Sequence, residues 1–400
     1  MDGPRSRFAW LRILGVTVLA LGAAFAVNAM NETGTRAASK FTVQAGGGGR
    51  GISVEMFRPK NIFIHAGDSV EFVNPYEEIH TVTFLGDKKT VPELIIPAGP
   101  PPKAGPPKLI FNPEAAFPTS GTSYTGAYAN SGIIGKGQSF TLSFSTLGTY
   151  NFLCILHPGM EGTVQVLDAG TTVPTQAAYD AEAKVQLDRA IAAGEASAKA
   201  TKTTNTKLAN GSTNYGVAVP QSAGLSDVMQ FTPVSLDIAV GDSVTWNNNT
   251  PVPHTVTYAA GTTPELTVPE PQAGGPPNLV LNPAVLFASQ PPVTSFSGAG
   301  YVNSGFMGTG PEANAGTSFS LTFSKPGTYL FICVLHADQG MSSIVKVGGG
   351  GATGPVTPPS TGEAGLAENR TSIALYGFAA VVAFAFVAGA GVLRVRAAKR

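Results

Sequence analysis

Residues 139–160 read SFTLSFSTLGTYNFLCILHPGM, and residues 318–341 read SFSLTFSKPGTYLFICVLHADQGM. In both stretches polar and apolar side chains alternate, as they do in a β-strand that buries one face. A Gly-Thr pair separates two such strands, and a cysteine, a histidine and a methionine follow in that order. Short strands separated by turn residues at regular spacing are typical of a β-sandwich, so we expect an all-β fold.

The two stretches belong to a longer internal duplication of the 400-residue chain. Paired segments recur in the same order at 65–74 and 239–248, at 79–84 and 253–258, at 111–117 and 281–287, and at 128–132 and 301–305. Such a repeat indicates two homologous domains, and a chain of this size suits two cores with linkers. We therefore predict two tandem β-sandwich domains, at residues 41–168 and 215–348.

Each copy also contains an insertion of about fifty residues, rich in proline and glycine, between its His-Thr-Val segment and its last strands. The whole chain has 48 glycines, 31 prolines and only 12% charged residues, a composition that favours turn-rich β domains. The insertion is too long for a hairpin loop. We predict a loop excursion at one end of each sandwich, with a functional or shielding role.

Residues 169–214 join the two predicted domains and differ from them in composition. Alanine, glutamate, lysine and glutamine dominate residues 175–200 and favour a helix, with Tyr179, Val185 and Ile191 near one side. The segment TKTTNTKLANGST that follows is typical of a flexible linker. The sequence leaves open whether the helix packs on a domain or only separates the two domains.

Both ends of the chain resemble membrane-directing segments. Residues 1–29 combine arginines, an uncharged apolar run and small residues near Ala29, which predicts a signal peptide; an uncleaved anchor helix is the alternative. A Pro/Gly/Thr-rich linker at 349–371 precedes a predicted transmembrane helix at 372–393 and a basic tail at 394–400. The positive-inside rule predicts a single-pass cell-membrane protein with the bulk of the chain extracytoplasmic. Nucleic-acid binding is excluded because the chain has no basic patch.

The chain has only two cysteines, Cys154 and Cys333, and exported proteins most often join such a pair in a disulfide. Three observations argue against that pairing. The cysteines occupy equivalent positions in separate copies, apolar residues flank both, and both have the same histidine and methionine partners. Four of the chain's five histidines lie in the repeated positions. A metal site in each copy explains this pattern better than a disulfide.

In the first copy, a strand end and the turn after it bring Cys154, His157 and Met160 towards one point, and His80 comes from a separate strand. The second copy repeats this arrangement with His254, Cys333, His336 and Met341. A thiolate, two imidazoles and a weak thioether form the donor set of blue copper sites. Zinc is the competing metal, but structural zinc sites use four strong ligands and methionine is not among them. We therefore predict copper.

The order GDSV, His, GTY, Cys, His and Met resembles the cupredoxins, the family of type 1 copper proteins that includes plastocyanin, azurin and amicyanin, over 50–168 and 225–348. The Cys-x2-His-x4-Met spacing after Cys333 is that of plastocyanins, and the Cys-x2-His-x2-Met spacing after Cys154 is that of amicyanin. The resemblance implies two tandem Greek-key sandwiches, each with one type 1 copper ion bound by its four residues named above. The Pro/Gly insertions depart from the family pattern, and the resemblance does not explain them.

Three classes of function are compared on these residues. Electron transfer between redox partner proteins suits a site with four protein ligands and no vacancy for a small-molecule substrate. Copper storage, delivery or a structural copper is the alternative, which the sequence excludes poorly. A multicopper enzyme needs further histidines, and beyond the predicted ligands only His65 remains, which we interpret as a surface or strand-end residue. The unequal Cys-to-Met loops predict two distinguishable reduction potentials.

Overall fold

The computed structural model describes residues 36–119 and 121–348. The predicted signal peptide, second linker, transmembrane helix and basic tail all lie outside the described residues. None of the helices in the described ranges combines the length and the apolarity that are needed to cross a bilayer. The described residues from Ala38 onward belong to one compact unit.

The first repeat copy forms two β-sheets around one core. Its elements in chain order are β1 (Lys40–Gly49), β2 (Ile52–Arg58), β3 (Asn61–His65), β4 (Ser69–Val73), β5 (Thr83–Phe84), β6 (Ile95–Pro97), β7 (Leu109–Phe111), α1 (Pro113–Ala116), β8 (Ser123–Tyr124), β9 (Ala129–Asn130), β10 (Ser139–Phe144), β11 (Gly148–Leu153) and β12 (Glu161–Leu167). One sheet has the order β2-β1-β4-β10-β8, and the other has the order β3-β12-β11-β5-β9.

The second copy repeats this arrangement after an intervening helix. The remaining elements are α2 (Gln176–Ala200), β13 (Asn205–Lys207), β14 (Thr213–Ala218), β15 (Ser226–Val228), β16 (Ser235–Ile238), β17 (Ser243–Asn247), β18 (Thr257–Tyr258), β19 (Thr267–Glu270), β20 (Asn278–Leu281), α3 (Pro283–Leu286), β21 (Ser295–Phe296), β22 (Val302–Asn303), β23 (Ser318–Phe323), β24 (Gly327–Ile332) and β25 (Ser342–Val347), with a 3-10 turn at Ala337–Gln339. The sheet orders are β13-β14-β17-β23-β21 and β16-β25-β24-β18-β22.

Aromatic side chains from both sheets fill each core. In the first copy the ring of Phe152 lies 4.7 Å from that of Phe57 and 4.9 Å from that of Phe72. In the second copy Trp246 and Phe331 are 4.9 Å apart. Such contacts stabilise a core beyond the area that they bury, and here they fix the strands that end beside the two cysteines. The regular structure of the described residues is mostly β-sheet, as the sequence pattern predicts.

Helix α2 packs on the first sandwich, which answers the question left open by its sequence. Thr175 caps its first turn by accepting a hydrogen bond from the Ala178 N–H. The hydroxyl of the buried Tyr179 donates to the Phe63 carbonyl at 2.8 Å and accepts from the Phe63 N–H at 2.7 Å. Gly194 allows close packing, because a Cβ there would lie 2.7 Å from Ile52 Cγ2. The helix is therefore a structural layer rather than a spacer.

The interpretation of the segment after α2 as a flexible linker is wrong. Residues 205–207 form strand β13, which pairs with β14 from Asn205 opposite Tyr215 to Lys207 opposite Thr213. The Asn-Gly pair at 210–211 turns the chain between them, with Gly211 at φ +88°. Part of the predicted linker 169–214 is thus an edge hairpin of the second sandwich.

The interpretation of the insertions as loop excursions is also incomplete, because they build a third kind of sheet. Strands β6 and β7 of the first insertion join β19 and β20 of the second in the order β19-β20-β7-β6. In each insertion an asparagine caps a short helix that begins with proline, Asn112 before α1 and Asn282 before α3. Leu279, Leu281 and Leu286 are buried here with Phe111. The insertions therefore hold the two copies together.

The two copies pair through equivalent residues at two places. Ile110 of β7 pairs with Val280 of β20, and these residues are equivalent in the LIFNP and LVLNP segments. Ser53 of β2 pairs with Asp227 of β15, and these stand at the same distance before the cis-prolines of the two copies. Antiparallel pairing of equivalent residues is the signature of an isologous, two-fold contact. The tandem repeat thus forms an internal pseudo-two-fold dimer.

Candidate metal centres

The Cys-to-Met turn of each copy is closed by backbone hydrogen bonds. Cys154 follows directly after β11, and its N–H donates to the Met160 carbonyl at 2.9 Å, while the Met160 N–H donates to the His157 carbonyl at 3.0 Å. In the second copy the Cys333 N–H donates to the Met341 carbonyl at 3.0 Å. These bonds fold each short loop back on itself, so a histidine three residues after the cysteine faces the cysteine sulfur.

The first histidine of each site is held from the other side of the sandwich. The His80 N–H donates to the Ile134 carbonyl at 3.0 Å, and the His254 N–H donates to the Met307 carbonyl at 3.0 Å. Gly46, at φ +75°, lies so close to His80 that a Cβ there would be 1.9 Å from His80 Nε2. Glycine is required at this position because any side chain would occupy the space of the imidazole.

Three of the four predicted ligands converge in the first copy. The Nδ1 atoms of His80 and His157 are 3.1 Å apart, and Cys154 Sγ lies 3.9 Å from the first and 3.5 Å from the second. His80 and Cys154 are buried, and the His157 side chain is 13% exposed. Since both Nδ1 atoms face the sulfur, the two Nε2 atoms point away from the candidate metal position.

The second copy repeats this geometry within a few tenths of an ångström. The Nδ1 atoms of His254 and His336 are 3.0 Å apart, and Cys333 Sγ lies 3.7 Å from the first and 3.4 Å from the second. All three residues are buried. The two Nδ1 atoms and the Sγ atom thus have nearly the same arrangement in both copies, so this geometry follows from the fold that the copies share.

Met160 and Met341 are fully buried in the same cores as the cysteines of their copies. They close the two turns through the backbone bonds described above. Their thioether ligation remains a prediction. Both cysteines are free, and each lies in the core of its own sandwich. His65, at the end of β3, is buried and its Nε2 lies 2.7 Å from the Thr171 carbonyl, so it is a strand-end residue.

Threonines next to the first histidines support both sulfurs. The Thr81 N–H donates to Cys154 Sγ at 3.3 Å, and the Thr255 N–H donates to Cys333 Sγ at the same distance. The Thr81 and Thr255 hydroxyls accept from the N–H groups of Ile155 and Val334. A hydrogen bond to the sulfur stabilises the thiolate and fixes its orientation. Sequence reasoning missed these threonines, although the shared His-Thr-Val segment contains them.

The electrostatics of both clusters favour thiolate. Burial alone raises the pKa of the Cys154 thiol, but the charge of His157 and hydrogen bonds to His157 and His80 bring that pKa well below its ordinary value. The same balance, with His336 and His254, lowers the pKa of Cys333 well below its ordinary value. Conversely, the Cys333 charge and hydrogen bond raise the pKa of His336 to about 9 against the effect of burial. The deprotonated sulfur is the form that ligates a metal.

Two buried glutamates surround the sites, and sequence reasoning missed both of them. Glu55 Oε2 lies 3.4 Å from His157 Nδ1 and 3.7 Å from His80 Nε2, and neither Glu55 oxygen has a hydrogen-bond partner. Glu78 lies 3.6 Å from His157 Nε2 through Oε1 and 3.7 Å from His336 Nε2 through Oε2. No repeat signal could reveal them, because Met229 and Val252 occupy the equivalent positions in the second copy.

The donor atoms in each half fit a copper ion. Each cluster offers one soft thiolate and two imidazole nitrogens, and a thioether sulfur lies in the same core. Imidazole with thiolate and thioether suits copper, whereas the carboxylates approach the histidines rather than the sulfur. The two sites thus fit two copper ions, one in each copy.

This chain is similar in part to several known proteins. Residues 48–167 match the copper-binding proteins of the plastocyanin/azurin family. A chloroplastic plastocyanin of Physcomitrium patens is 26% identical over 198 residues, which cover 46% of this chain and 98% of that plastocyanin. Solved structures of amicyanin include a reduced Cu(I) form, 18% identical, and a reduced mutant, 20% identical; each covers 32% of this chain and 82% of its own, with a TM-score of 0.20.

Each β-sandwich contains a buried His-Cys-His cluster whose donor atoms fit copper. Within this chain, residues 48–167 are similar to the copper-binding proteins of the plastocyanin/azurin family. The second copy has an equivalent cluster, so the donor atoms of each copy fit one copper ion.

Proposed function

We propose that this chain is an electron carrier with two copper sites, anchored in the membrane and exposed outside the cytoplasm. The observation that carries the proposal is the burial of a closed donor set on the rigid end of each sandwich. His80, Cys154, His254 and Cys333 are at most 3% exposed. When bound, copper supplies one-electron cycling between Cu(I) and Cu(II) at such a site.

Hydrogen bonds hold the ligand side chains of each site in place, which suits electron transfer. The threonine N–H donors hold the sulfurs, and the backbone bonds of the Cys-to-Met turns hold the second histidines. Ligands fixed in this manner move little when the charge of the site changes, which keeps the reorganisation small. The burial of these residues also limits the access of water and of small molecules to the donor atoms.

Copper storage or delivery without electron transfer is the second candidate. The observation that favours it is the deep burial of the second site, where His336 is the most accessible of the three clustered residues and is only 5% exposed. Storage requires metal exchange, however, and a site sealed on all sides exchanges a metal slowly while electrons still pass. We therefore rank electron transfer first.

The proposal does not include an enzymatic activity. The chain has five histidines, four of which lie in the two clusters. The fifth, His65, contacts the Thr171 carbonyl and belongs to neither cluster. Membrane anchoring by residues 372–393 and exchange with redox partner proteins complete the proposal, and both are supported by sequence alone.

A spectroelectrochemical titration of the copper-loaded full chain in detergent tests this function. We expect two reversible one-electron transitions with distinct midpoints, because the loops and the surrounding carboxylates differ between the sites. Copper that is bound stoichiometrically but cannot be reduced and reoxidised reversibly would instead support storage. Zinc-loaded protein, which has no redox transition, serves as the baseline.

A further inference from the structure

A single buried carboxylate touches the metal-site histidines of both copies. The Glu78 side chain is only 10% exposed, with Oε1 at 3.6 Å from His157 Nε2 and Oε2 at 3.7 Å from His336 Nε2. Because the Nδ1 atoms of both histidines face the sulfurs, these Nε2 atoms are free to carry the protons that a carboxylate attracts. Glu78 therefore stands between the outer faces of two equivalent ligands.

We propose that Glu78 joins the two copper sites into one electron-transfer unit, in which an electron passes between the copies through His157, Glu78 and His336. This inference rests on the proposed function. It adds a positioning residue that neither repeat copy needs for its own metal site. The step transfers one electron from the reduced site to the oxidised site, and no bond is broken and no proton leaves Glu78.

The longer Cys-to-Met loop of the second copy holds this carboxylate in place. Gln339, in the 3-10 turn Ala337–Gln339, donates from Nε2 to Glu78 Oε2 at 2.5 Å. The first copy has no residue at this position, because its loop runs directly from His157 through Pro158 and Gly159 to Met160. The difference in loop length thus has a structural consequence: it supplies the amide that fixes the bridge from the opposite domain.

The exposed fractions of the two histidines also indicate the order in which an electron from outside reaches the two sites. His157 is 13% exposed through its side chain and His336 is 6% exposed, while the other clustered residues of the second site are buried almost completely. The sheet β19-β20-β7-β6, built from the two insertions, further shields the second site, because Val334 and Leu335 after Cys333 pack against the hydrophobic cluster beside this sheet. External partners therefore reach the second site through the first, and Glu78 is the connection between them.

The test compares Glu78→Gln with Glu77→Gln in the copper-loaded full chain. Glutamine keeps the shape of Glu78 but removes its charge, and its amide nitrogen donates hydrogen bonds rather than accepting them, so it can face only one of the two histidine N–H groups as an acceptor. Glu77 carries the same charge one residue away and pairs with Lys136 instead of a histidine. After one-electron reduction by a radiolysis pulse, we expect electron equilibration between the sites to slow by about 10- to 100-fold in Glu78→Gln, the range typical for supports of metal ligands, and to be unchanged in Glu77→Gln.

A second readout needs no copper. In the metal-free chain labelled with 15N, Glu78→Gln should shift the ring-nitrogen resonances of both His157 and His336, whereas Glu77→Gln should shift neither. If Glu78→Gln fails to load copper, Gln339→Ala serves as the test variant. It removes the hydrogen bond that holds Glu78 and should also slow electron equilibration between the sites.

Equal rates in wild type, Glu78→Gln and Gln339→Ala, all loaded with copper, would overturn the inference. So would a shift confined to the His157 resonances, since the carboxylate would then serve one site only. Failure of the proposed function looks different: the wild-type chain itself would then show no reversible redox transition, and no variant would need to be compared.

Discussion

The unequal surroundings of the two sites predict a large effect of one substitution, Glu55→Gln. Glu55 Oε2 lies 3.4 Å from His157 Nδ1, in a buried position where neither of its oxygens is hydrogen-bonded. Met229 stands at the equivalent position of the second copy. Glu55 and Met229 each lie four residues before the cis-proline of their own copy. Among the described residues, the contact between a carboxylate and a metal-facing nitrogen is found at the first site.

The expected size of the effect follows from Coulomb's law. A unit charge at about 4 Å contributes about 4 kcal/mol at an effective dielectric constant of about 20, and this equals about 170 mV for a one-electron couple. The negative charge favours the oxidised site, so its removal should raise the reduction potential. This figure is a ceiling, because burial raises the pKa of the Glu55 carboxyl while the charges of His157 and His80 oppose that rise.

The assay is a potentiometric titration in the Cys333→Ser background, where only the first site remains. Glu55→Gln should raise the potential towards that ceiling, and Glu55→Met should do the same while copying the second site. Glu71→Gln is the matched control, because Glu71 lies on the same sandwich and pairs with Lys40. A potential that stays the same in Glu55→Gln would show that the carboxyl is protonated beside the metal and would refute the reasoning.

Three further substitutions test the architecture around the sites. Gly46→Ala should weaken copper binding by the first site by about 10- to 100-fold, measured by competition with a chelator, and leave the second site unaffected, because the new Cβ would displace His80. Tyr179→Phe should destabilise the chain by about 2 kcal/mol in denaturant unfolding, since it removes two hydrogen bonds to the edge strand β3. Leu286→Ala should lower the free energy of unfolding by about 2–5 kcal/mol, because Leu286 of α3 is buried in the hydrophobic cluster that the two insertions share. Wild-type unfolding midpoints in Tyr179→Phe or Leu286→Ala would contradict these contacts.

The sequence predicted those parts of the structure that each copy specifies within itself. Cys154 and His157 are three residues apart on one turn, and the repeat identified His80 because His254 stands in the same context. The alternation around β10 and β11 predicted the strands, since one buried face requires it. Each of these patterns lies within one copy, and its recurrence in the other copy showed that it was not accidental.

Many of the parts that escaped prediction are contacts between the copies. Ile110 and Val280 pair across the pseudo-two-fold, and nothing in either proline-rich insertion indicates a partner so distant along the chain. Glu78 resembles an ordinary surface acid in its sequence, and its contacts with Gln339 and His336 of the other copy appear only in the folded chain. The prediction of a flexible linker at residues 201–213 failed because β13 is ordered by its pairing with β14, which the composition of the segment does not reveal.

The most direct test of the account is a copper titration followed by visible absorption and EPR for the wild type, Cys154→Ser and Cys333→Ser. We expect the wild type to bind one copper ion per cluster, with the signature of thiolate-bound copper from both. Each serine variant should lose the signal of its own site and keep that of the other. Loss of both signals in either variant, or a protein that takes up zinc in preference to copper, would contradict the account.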